Sequence, residues 1–473
     1  MTTITLTLID GVQIVVPDSL NLITPYVLLE QQDWFEDEVK FLRRLLQPGQ
    51  KVIDIGANYG VYTLSMAQTV GPTGCVWAFE PASSTARLLA EGIAANGFTQ
   101  VVLERSALSS TSGTAQLSLN DNSELNALLH GKSSTNASET VALVTLDECL
   151  ESYGWQDIDF VKIDAEGEEA NILKGGKRFF SEQSPLVQYE IKAVEDLHME
   201  LVQNFAALGY DSYRLVPGLD LLVPFDAKLP PDRYLLNLFC CKRDRVECLA
   251  AQGFLLDSAV HLPTMQTERF KDASEKVKNL NAYNWRHTIA KLPYGVRLAN
   301  LWEQTVAAGS SAEVSEAISF YAISQDASLT SSERFEALAA SVNTLNILCE
   351  RQPSYLRLAS LSRVARDYGS RSLAVKSLAH LHDTIRKDHK VNASEPFLTP
   401  GERFDSVPPR DVVGDWVLAA ILEELEKLGS FSSFYTGISA RQRLEMIHAL
   451  GFGSAEMERR LHLLQKRFGL PTS

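Results

Sequence analysis

The stretch "KVIDIGANYGVYTLSMAQTV", Lys51 to Val70, joins an apolar run, a turn with two glycines and a second apolar segment with helical spacing. Gly56 and Gly60 bracket the turn, and glycine permits backbone angles and close approaches that other residues resist. A buried strand that passes through such a turn into a helix is typical of an α/β fold with a parallel sheet. We therefore predict that this stretch begins the central sheet of a domain.

Strand and helix patterns alternate on both sides of this stretch, up to about residue 245. "CVWAFEP", "QVVLERSAL", "DFVKID", "PLVQYEI" and "YLLNLFCCK" are each predicted to form one strand, and segments with helical periodicity separate most of them. Residues 111–145 are rich in Ser, Thr and Asn and are predicted to form a loop or ribbon inserted in the sheet. The pattern predicts an α/β domain with a doubly wound, mostly parallel sheet.

The two ends of the chain differ from this pattern. "ITLTLI" and "VQIVV" predict a hairpin that turns at Asp10-Gly11, and "EQQDWFEDEVKFLRRLL" predicts one helix after it. From about residue 265 helical periodicity takes over, and residues 354–387 resemble a tetratricopeptide-type hairpin, so a short helical repeat and an irregular bundle both stay open. The Pro-rich segment 391–411 is predicted to be an irregular connection, a lid or a partner-facing loop. We expect three parts: residues 1–45, packed on an α/β domain of residues 46–250, and an all-α domain of residues 265–473.

Composition limits the classes of function. The chain has 473 residues, with 45% hydrophobic and 22% charged residues and a net charge of -15, which argues against nucleic acid as a partner. No apolar run is long enough to span a bilayer, and the first residues alternate like a strand and lack the basic region of a signal peptide. The six cysteines show no metal-binding rhythm. We expect a cytoplasmic protein without a membrane span.

Acidic residues follow the predicted strands where a parallel sheet binds its ligands. These residues are Asp54, Glu80, Asp164, Glu166 and Glu190. The turn after the first strand is not G-x-G-x-x-G, because Asn58 stands where the second glycine would meet a pyrophosphate, and this disfavours an NAD-dependent dehydrogenase. S-adenosylmethionine fits better, because it carries a ribose and net positive charge but no phosphate.

Several segments, taken in order, resemble the FkbM-type methyltransferases, a class I S-adenosylmethionine-dependent family. The segments are "VIDIGANYGVYTL", "AFEP", "SAL", "TLDE", "VKIDAEGEEANILKG" and "VQYEI", within residues 40–242. The resemblance implies a seven-stranded Rossmann-like sheet and O-methylation of a sugar or polyketide hydroxyl. It also implies that S-adenosyl-L-methionine is held by its methionine end at Asp54, Gly56, Asn58 and Gly60, by its ribose at Glu80, and by its adenine at Ser106 and Ala107. Asp164, Glu166 and Gly167 match the family's acidic turn beside the transferred methyl, with Ala165 in place of the usual branched residue.

A hydroxyl becomes a good nucleophile only as its proton leaves, so the site needs a base. Asp164 is our first candidate for this catalytic base and Glu166 the second, and Lys162, two residues back along the strand, is expected to orient one of them. Asp164 and Glu166 can also be simple caps of the following helix, whose first turn favours Glu168 and Glu169 by its dipole.

Glu190 and His198 are candidates for contact with the substrate, although a structural ion pair for Glu190 and a solvated position for His198 stay open. A divalent cation bridged by Asp164 and a second acid is an open alternative, but we expect no metal.

The function expected from sequence is therefore methyl transfer from S-adenosyl-L-methionine to a hydroxyl of a sugar or glycan precursor. A polyketide or other secondary-metabolite hydroxyl is the nearest alternative acceptor. A methyltransferase fold that is catalytically idle and serves as a scaffold is a different alternative, and the intact Asp54, Gly56, Glu80 and Asp164 argue against it. We also expect that the helical domain is able to bind a protein partner.

Overall fold

The computed structural model describes residues 2–129, 137–193, 196–257, 283–308 and 312–470. The chain forms two compact units: Met1–Leu215 with Leu222–Pro231 and Leu235–Asp257, and Val216–Leu221 with Asp232–Tyr234 and Ser258–Ser473. Residues 265–282 of the predicted helical domain lie outside the described residues. Over the described ranges, every helix is too short or too polar to cross a bilayer.

The first unit contains the strands of the described chain, except for the end residues Val216 of β14 and Leu221 of β15, and nine of its α-helices. The strands are β1 Thr3–Thr7, β2 Gln13–Pro17, β3 Lys51–Ile55, β4 Cys75–Phe79, β5 Val101–Glu104, β6 Ser106–Leu108, β7 Gly113–Ser118, β8 Ala127–Leu128, β9 Ser138–Val144, β10 Phe160–Ile163, β11 Leu186–Glu190, β12 Lys192–Ala193, β13 Asp196–Leu197, β14 Asp211–Val216, β15 Leu221–Pro224 and β16 Asn237–Cys241. The helices are α1 Ile23–Gln31, α2 Asp37–Leu45, α3 Val61–Val70, α4 Ser83–Asn96, α5 Leu146–Tyr153, α6 Glu169–Gly175, α7 Lys177–Glu182, α8 Glu200–Ala207 and α9 Arg243–Ala251.

The main sheet has eight strands in the order β15-β14-β16-β11-β10-β3-β4-β5. The strands from β11 to β5 are parallel, and β16 runs antiparallel to both β11 and β14. Both faces are buried: Val52 and Phe160 lie in one apolar cluster, and Ile53 and Val161 lie in another. Burial on both faces explains why these strands appear in the sequence as nearly continuous apolar runs. The predicted α/β class with a mostly parallel sheet is confirmed.

The strand count exceeds the seven that the family resemblance implies. The extra strand is β15, which follows β14 after a tight turn at Pro217–Leu219 where Asp220 adopts a left-handed backbone conformation. The segment "QVVLERSAL", predicted to be one strand, is divided into β5 of the main sheet and β6 of a second sheet. The sequence alone does not show this division, because both pieces are apolar and no turn residue separates them.

The inserted residues form a four-stranded sheet of their own, in the order β6-β9-β7-β8. Leu117 and Val141 pack in its apolar cluster with Ala82 and Ala107, which explains why a segment rich in Ser and Thr is ordered here.

The N-terminal hairpin is as predicted, with β1 antiparallel to β2 and Gly11 at a positive φ. The helix predicted over "EQQDWFEDEVKFLRRLL" is two helices, because α1 ends at Gln31, the next residue Gln32 adopts a left-handed conformation, and α2 begins only at Asp37.

The second unit is helical, which agrees with the prediction. Its helices are α10 Trp285–Thr288, α11 Pro293–Ala307, α12 Ala312–Ser324, α13 Ser331–Arg351, α14 Arg357–Tyr368, α15 Arg371–Asp388, α16 Arg403–Ser406, α17 Val413–Leu428, α18 Ser433–Thr436, α19 Arg441–Ala449 and α20 Ala455–Phe468. The helices from α12 to α15 pack in chain order, as in a short repeat, but α15 then packs on α17 and α17 on α19. The expectation of a lid or partner-facing loop at residues 391–411 is wrong for its middle part, because Phe397 and Leu398 are core residues and Glu395 is buried in an ion pair with Arg357.

Candidate active site

The glycine turn after β3 brings three strand ends together. The N–H groups of Gly56 and Ala57 both donate to the carbonyl of Phe79 at the end of β4, at 3.1 and 3.0 Å. Gly56 has φ +79°, and a Cβ there would lie 1.8 Å from the carbonyl oxygen of Asp164 after β10. Gly60 has φ +94° and packs on Leu89. Both glycines are therefore required by geometry, as the sequence predicts.

A polar row crosses the sheet just before these strand ends. Register pairs Asp54 of β3 with Lys162 of β10, and Lys162 with Gln188 of β11, so the three side chains share one face. Asp54 is fully buried and accepts a hydrogen bond from Thr63 at 2.5 Å, while its Oδ1 has no hydrogen-bond partner. Lys162 Nζ lies 4.0 Å from that Oδ1 and 2.8 Å from Asp164 Oδ2. These two carboxylates raise the pKa of Lys162 although burial opposes the charge.

Three carboxylates meet beyond this row, and they include both predicted bases. Oxygen atoms of Asp164, Glu166 and Glu190 all lie within 4.8 Å of one another. Burial and the neighbouring carboxylates raise the pKa of Glu166 to about 8 and that of Glu190 to about 11. Glu166 also has φ +48°, a conformation uncommon outside glycine that is found at functional sites. The three carboxyl groups offer the oxygen ligands that a hard cation accepts. Protons bound to the carboxyl groups would also relieve the repulsion between them.

The residues predicted to hold the ribose and adenine lie on the other side of the glycine turn. Glu80 accepts hydrogen bonds from the backbone N–H groups of Asn58 and Ala82, each at 2.9 Å, and burial raises its pKa to about 7. Ser106 is buried and its hydroxyl has no hydrogen-bond partner, and Ala107 follows it along β6. Glu80, Ser106 and Ala107 all line a common pocket, whose volume is about 1030 Å³ when the open solvent at its mouth is included.

The pocket brings together most of the predicted site residues. It is lined by Asp54, Gly56, Asn58, Glu80, Ser106, Ala107, Lys162, Asp164 and Glu166, together with residues of the inserted sheet and of the segment before α2. Gly60, Glu190 and His198 lie outside this lining. His198 donates its backbone N–H to the carbonyl of Ile191 and pairs its ring with Glu200 at 3.0 Å, with about a third of its side chain exposed, so its contact with the substrate stays a prediction.

The two acids after Glu166 are structural. Glu169 accepts hydrogen bonds from the backbone N–H groups of Ala165 and Gly167, at 2.9 and 3.3 Å, and so closes the acidic turn. Glu168 is buried and accepts a hydrogen bond from Ser109 at 2.5 Å. The dipole of α6 and these hydrogen bonds account for both acids, although Glu168 also touches the pocket.

Two parts of the pocket wall were missed by the sequence analysis. The inserted segment contributes Ser123, Glu124 and Asn126, which lie between β7 and β8, and Leu128 of β8. The first three have the polar composition of an ordinary surface loop. Glu36 comes from the segment between α1 and α2, where an acid ahead of a helix matches an N-terminal dipole pattern; Trp34 of the same segment also lines the pocket, and its sequence left a place in the core and a place over the pocket both open. No spacing in the sequence marks either set as part of a site.

The chain also resembles known proteins. Residues 54–212 match the model of the methyltransferase FkbM domain. A methyltransferase named sdnD from Sordaria araneosa is 26% identical over 202 residues, which are 36% of this chain and 71% of that protein.

Solved structures give weaker likenesses. The methyltransferase FkbM from Methylobacillus flagellatus is 16% identical with a TM-score of 0.29, and the match covers 41% of this chain and 44% of that one. A SAM-dependent O-methyltransferase from Thermotoga maritima is 14% identical with a TM-score of 0.26, over 49% of this chain and 73% of that one. The chain thus spans less than half of the Methylobacillus protein.

Proposed function

We propose that the chain transfers a methyl group from S-adenosyl-L-methionine to a hydroxyl of a sugar or glycan precursor, and the match of residues 54–212 to the methyltransferase FkbM domain supports this proposal. The pocket beyond the glycine turn is the observation that carries the proposal. It is bordered by Asp54, Glu80, Asp164 and Glu166 and contains a single lysine, so its charge suits a cationic methyl donor.

The residues present fit S-adenosyl-L-methionine. Gly56 leaves open a cradle that any Cβ would close, and the buried Oδ1 of Asp54 and hydroxyl of Ser106 are polar atoms without hydrogen-bond partners that line the pocket. Buried polar atoms are nearly always hydrogen-bonded. Two buried polar atoms without partners in one pocket therefore indicate that a bound ligand supplies the missing hydrogen bonds. Asp54 and the glycine turn would hold the methionine end, Glu80 the ribose hydroxyls, and Ser106 with Ala107 the adenine. When bound, the cofactor supplies an electrophilic methyl group on a sulfonium.

The protein's own part in the reaction is to orient the acceptor hydroxyl and remove its proton. Lys162 fixes one carboxylate oxygen of Asp164 at 2.8 Å, and the Asp164 side chain keeps about a third of its surface exposed. We take Asp164 as the first proton acceptor and Glu166 as the second. The raised pKa of Glu166, about 8, suits a base that works near neutral pH.

A polyhydroxylated acceptor fits the acidic wall better than a single alcohol. Ionised carboxylates only accept hydrogen bonds, and adjacent hydroxyls on a sugar supply several donors at once. Asp164 and Glu166 therefore both find partners on a saccharide, whereas a polyketide hydroxyl without a neighbouring hydroxyl offers one donor to the pair. This preference separates the glycan acceptor from the polyketide alternative.

Binding and transfer assays test the proposal in sequence. Calorimetry should show that S-adenosylhomocysteine binds and that NAD does not; the reverse result would contradict the assignment of the pocket.

Methyl transfer from labelled S-adenosyl-L-methionine should then be higher to neutral oligosaccharides than to polyketide alcohols of equal concentration. Adding a chelator should leave the rate unchanged, and a loss of rate would favour a cation at Asp164 and Glu166.

A further inference from the structure

Glu36 is a carboxylate of the pocket that neither the sequence motifs nor the proposed proton transfer uses. It lies immediately before α2 and lines the pocket together with Asp54, Lys162 and Asp164. Its Oε2 accepts a short hydrogen bond from the hydroxyl of Tyr62 and a second one from Asn237 Nδ2 at 3.3 Å. Its carboxylate is therefore held from α3 and from β16.

The support for this position extends to the backbone and the neighbouring side chains. The Tyr62 hydroxyl accepts a hydrogen bond from Gln188 Nε2 at 3.1 Å, which orients its own proton toward Glu36. Asp33, three residues before Glu36, is clamped by both terminal nitrogens of Arg43, each at 2.8 Å. Such a fixed carboxylate is preorganised for a ligand, because little reorientation is needed when the ligand arrives.

The charge of Glu36 is not balanced by a cation of its own. Tyr62 and Asn237 are neutral donors, and within the ranges that the structure describes no ion pair to Glu36 occurs within 4.0 Å. The nearby ammonium of Lys162 lies 2.8 Å from Asp164 and 4.0 Å from Asp54. The carboxylates of Asp54, Asp164 and Glu36 thus share the ammonium of Lys162 at this end of the pocket, and Glu36 is the one furthest from that ammonium.

We propose that Glu36 supplies the negative charge by which the pocket prefers the sulfonium of the methyl donor to the neutral thioether that remains after transfer. This inference rests on the proposed function. The donor and its product share the adenine, the ribose and the ammonium, so only the sulfonium charge distinguishes their electrostatic attraction to a carboxylate. A site with this preference binds the donor and releases the product, which avoids inhibition by the product.

Proton linkage gives the preference a second signature. Burial raises the pKa of Glu36, and a bound cation lowers it again because it favours the ionised form. The groups that face Glu36 are Tyr62 from α3, Lys162 from β10, Asp164 just after β10, Glu190 from β11 and Glu38 from α2. Binding of the donor should therefore release more protons than binding of the product.

Calorimetry with the purified chain and two ligands tests the inference. In Glu36→Gln the affinity for S-adenosyl-L-methionine should fall about tenfold, while that for S-adenosylhomocysteine should change less than twofold. Asp37→Asn is the matched control, because Asp37 follows Glu36 directly at the start of α2, is exposed and paired with Lys40, and lies outside the pocket lining, so it should preserve the ratio of the two affinities. An equal loss for both ligands, or no loss for either, overturns the inference.

A measurement on the unmodified protein covers the case in which Glu36→Gln does not fold. Binding heats in buffers of different ionisation enthalpy should show a larger proton release for the donor than for the product. Equal release for both ligands overturns the inference as well. If the unmodified protein binds neither ligand, the proposed function fails instead, so the two failures are distinguishable.

Discussion

Gly56 and Asp164 meet backbone to backbone at the ends of neighbouring parallel strands. A Cβ on Gly56 would lie 1.8 Å from the carbonyl oxygen of Asp164, and the N–H of Asp164 donates to the carbonyl of Ile55 at 3.1 Å. The glycine that shapes the proposed cofactor cradle therefore also sets the position of the proposed base. This contact links the two halves of the site.

Gly56→Ala should abolish binding of S-adenosylhomocysteine, because the new methyl group forces the turn after β3 away from the strand end of β10. The free energy of unfolding should fall by more than the roughly 1 kcal/mol expected for a positive φ alone. Gly97→Ala is the matched control. Gly97 has a similar φ of +68°, but no atom lies within 4 Å of its Cβ position, so only the conformational cost applies. Equal losses in the two variants, by chemical denaturation, would contradict the role of the close contact.

Asp164→Asn should leave the affinity for S-adenosylhomocysteine nearly unchanged and lower the rate of methyl transfer at least about a hundredfold, which is the usual scale for loss of a general base. The amide keeps the shape of the side chain but accepts a proton poorly. Calorimetry and initial rates with the acceptor found by transfer assays separate the two effects.

Glu166→Gln distinguishes the two candidate bases. If Asp164 is the proton acceptor, Glu166→Gln should reduce the rate by less than tenfold. If Asp164→Asn retains most of its rate and Glu166→Gln does not, Asp164 acts as a structural partner of Lys162 and the proton goes to Glu166.

The main sheet and the acidic strand ends were predictable because they rest on short-range patterns. Apolar runs that end in Asp54, Glu80 and Asp164 mark the carboxyl edge of a parallel sheet, and the glycine spacing marks the turn between β3 and α3. The structure confirms this edge as the place where the residues meet. The family resemblance is likewise confirmed by the match over residues 54–212.

The rest of the pocket depends on contacts between residues far apart in the chain. Glu124 touches Thr24 across 100 positions, and Glu36 touches Asn237 across 201, and neither pair has a local signature. The break between α1 and α2 has the same cause, because the clamp of Arg43 on Asp33 fixes a turn inside an apparently continuous helical pattern. The expectation of a protein partner for the helical unit stays a prediction.

Glu80 should make stability and ligand binding depend on pH in opposite directions. Its pKa of about 7 lies above the ordinary value of 4.5 because burial disfavours the charge. Between these two values the folded state keeps a proton that the unfolded state has lost, so the free energy of unfolding falls as pH rises, by about 3 kcal/mol once pH exceeds 7. Affinity for S-adenosylhomocysteine should rise about tenfold from pH 6 to pH 8, because ionised Glu80 accepts hydrogen bonds from the ribose hydroxyls.

Glu80→Gln should remove the contribution of Glu80 to the pH dependence of the free energy of unfolding and of the affinity for S-adenosylhomocysteine. The contributions of the other acidic residues should stay unchanged. The comparison uses the change of unfolding free energy between pH 4.5 and pH 8 rather than its absolute value, because the amide leaves one backbone N–H without its acceptor. Equal pH slopes for the variant and the unmodified protein, by denaturant titration, would show that Glu80 does not titrate in this range.

The inserted sheet clamps two helix starts in the same way, and only one clamp borders the pocket. Glu124 accepts hydrogen bonds from the backbone N–H and the hydroxyl of Thr24 in α1, and Glu139 does the same for Ser83 in α4. Ser123, next to Glu124, donates to Asn58 at 2.9 Å and so connects this wall to the glycine turn.

Glu124→Gln should therefore speed the release of S-adenosylhomocysteine about tenfold, because the wall over the pocket opens when its contact with α1 weakens. Stopped-flow fluorescence of Trp34, which lines the pocket, measures the release rate. Glu139→Gln removes an equivalent carboxylate outside the pocket lining and should leave release within twofold. Equal acceleration in both variants would mean that the inserted sheet stabilises the whole unit rather than the pocket wall. Unchanged release in Glu124→Gln would contradict the role of this contact in holding the pocket wall.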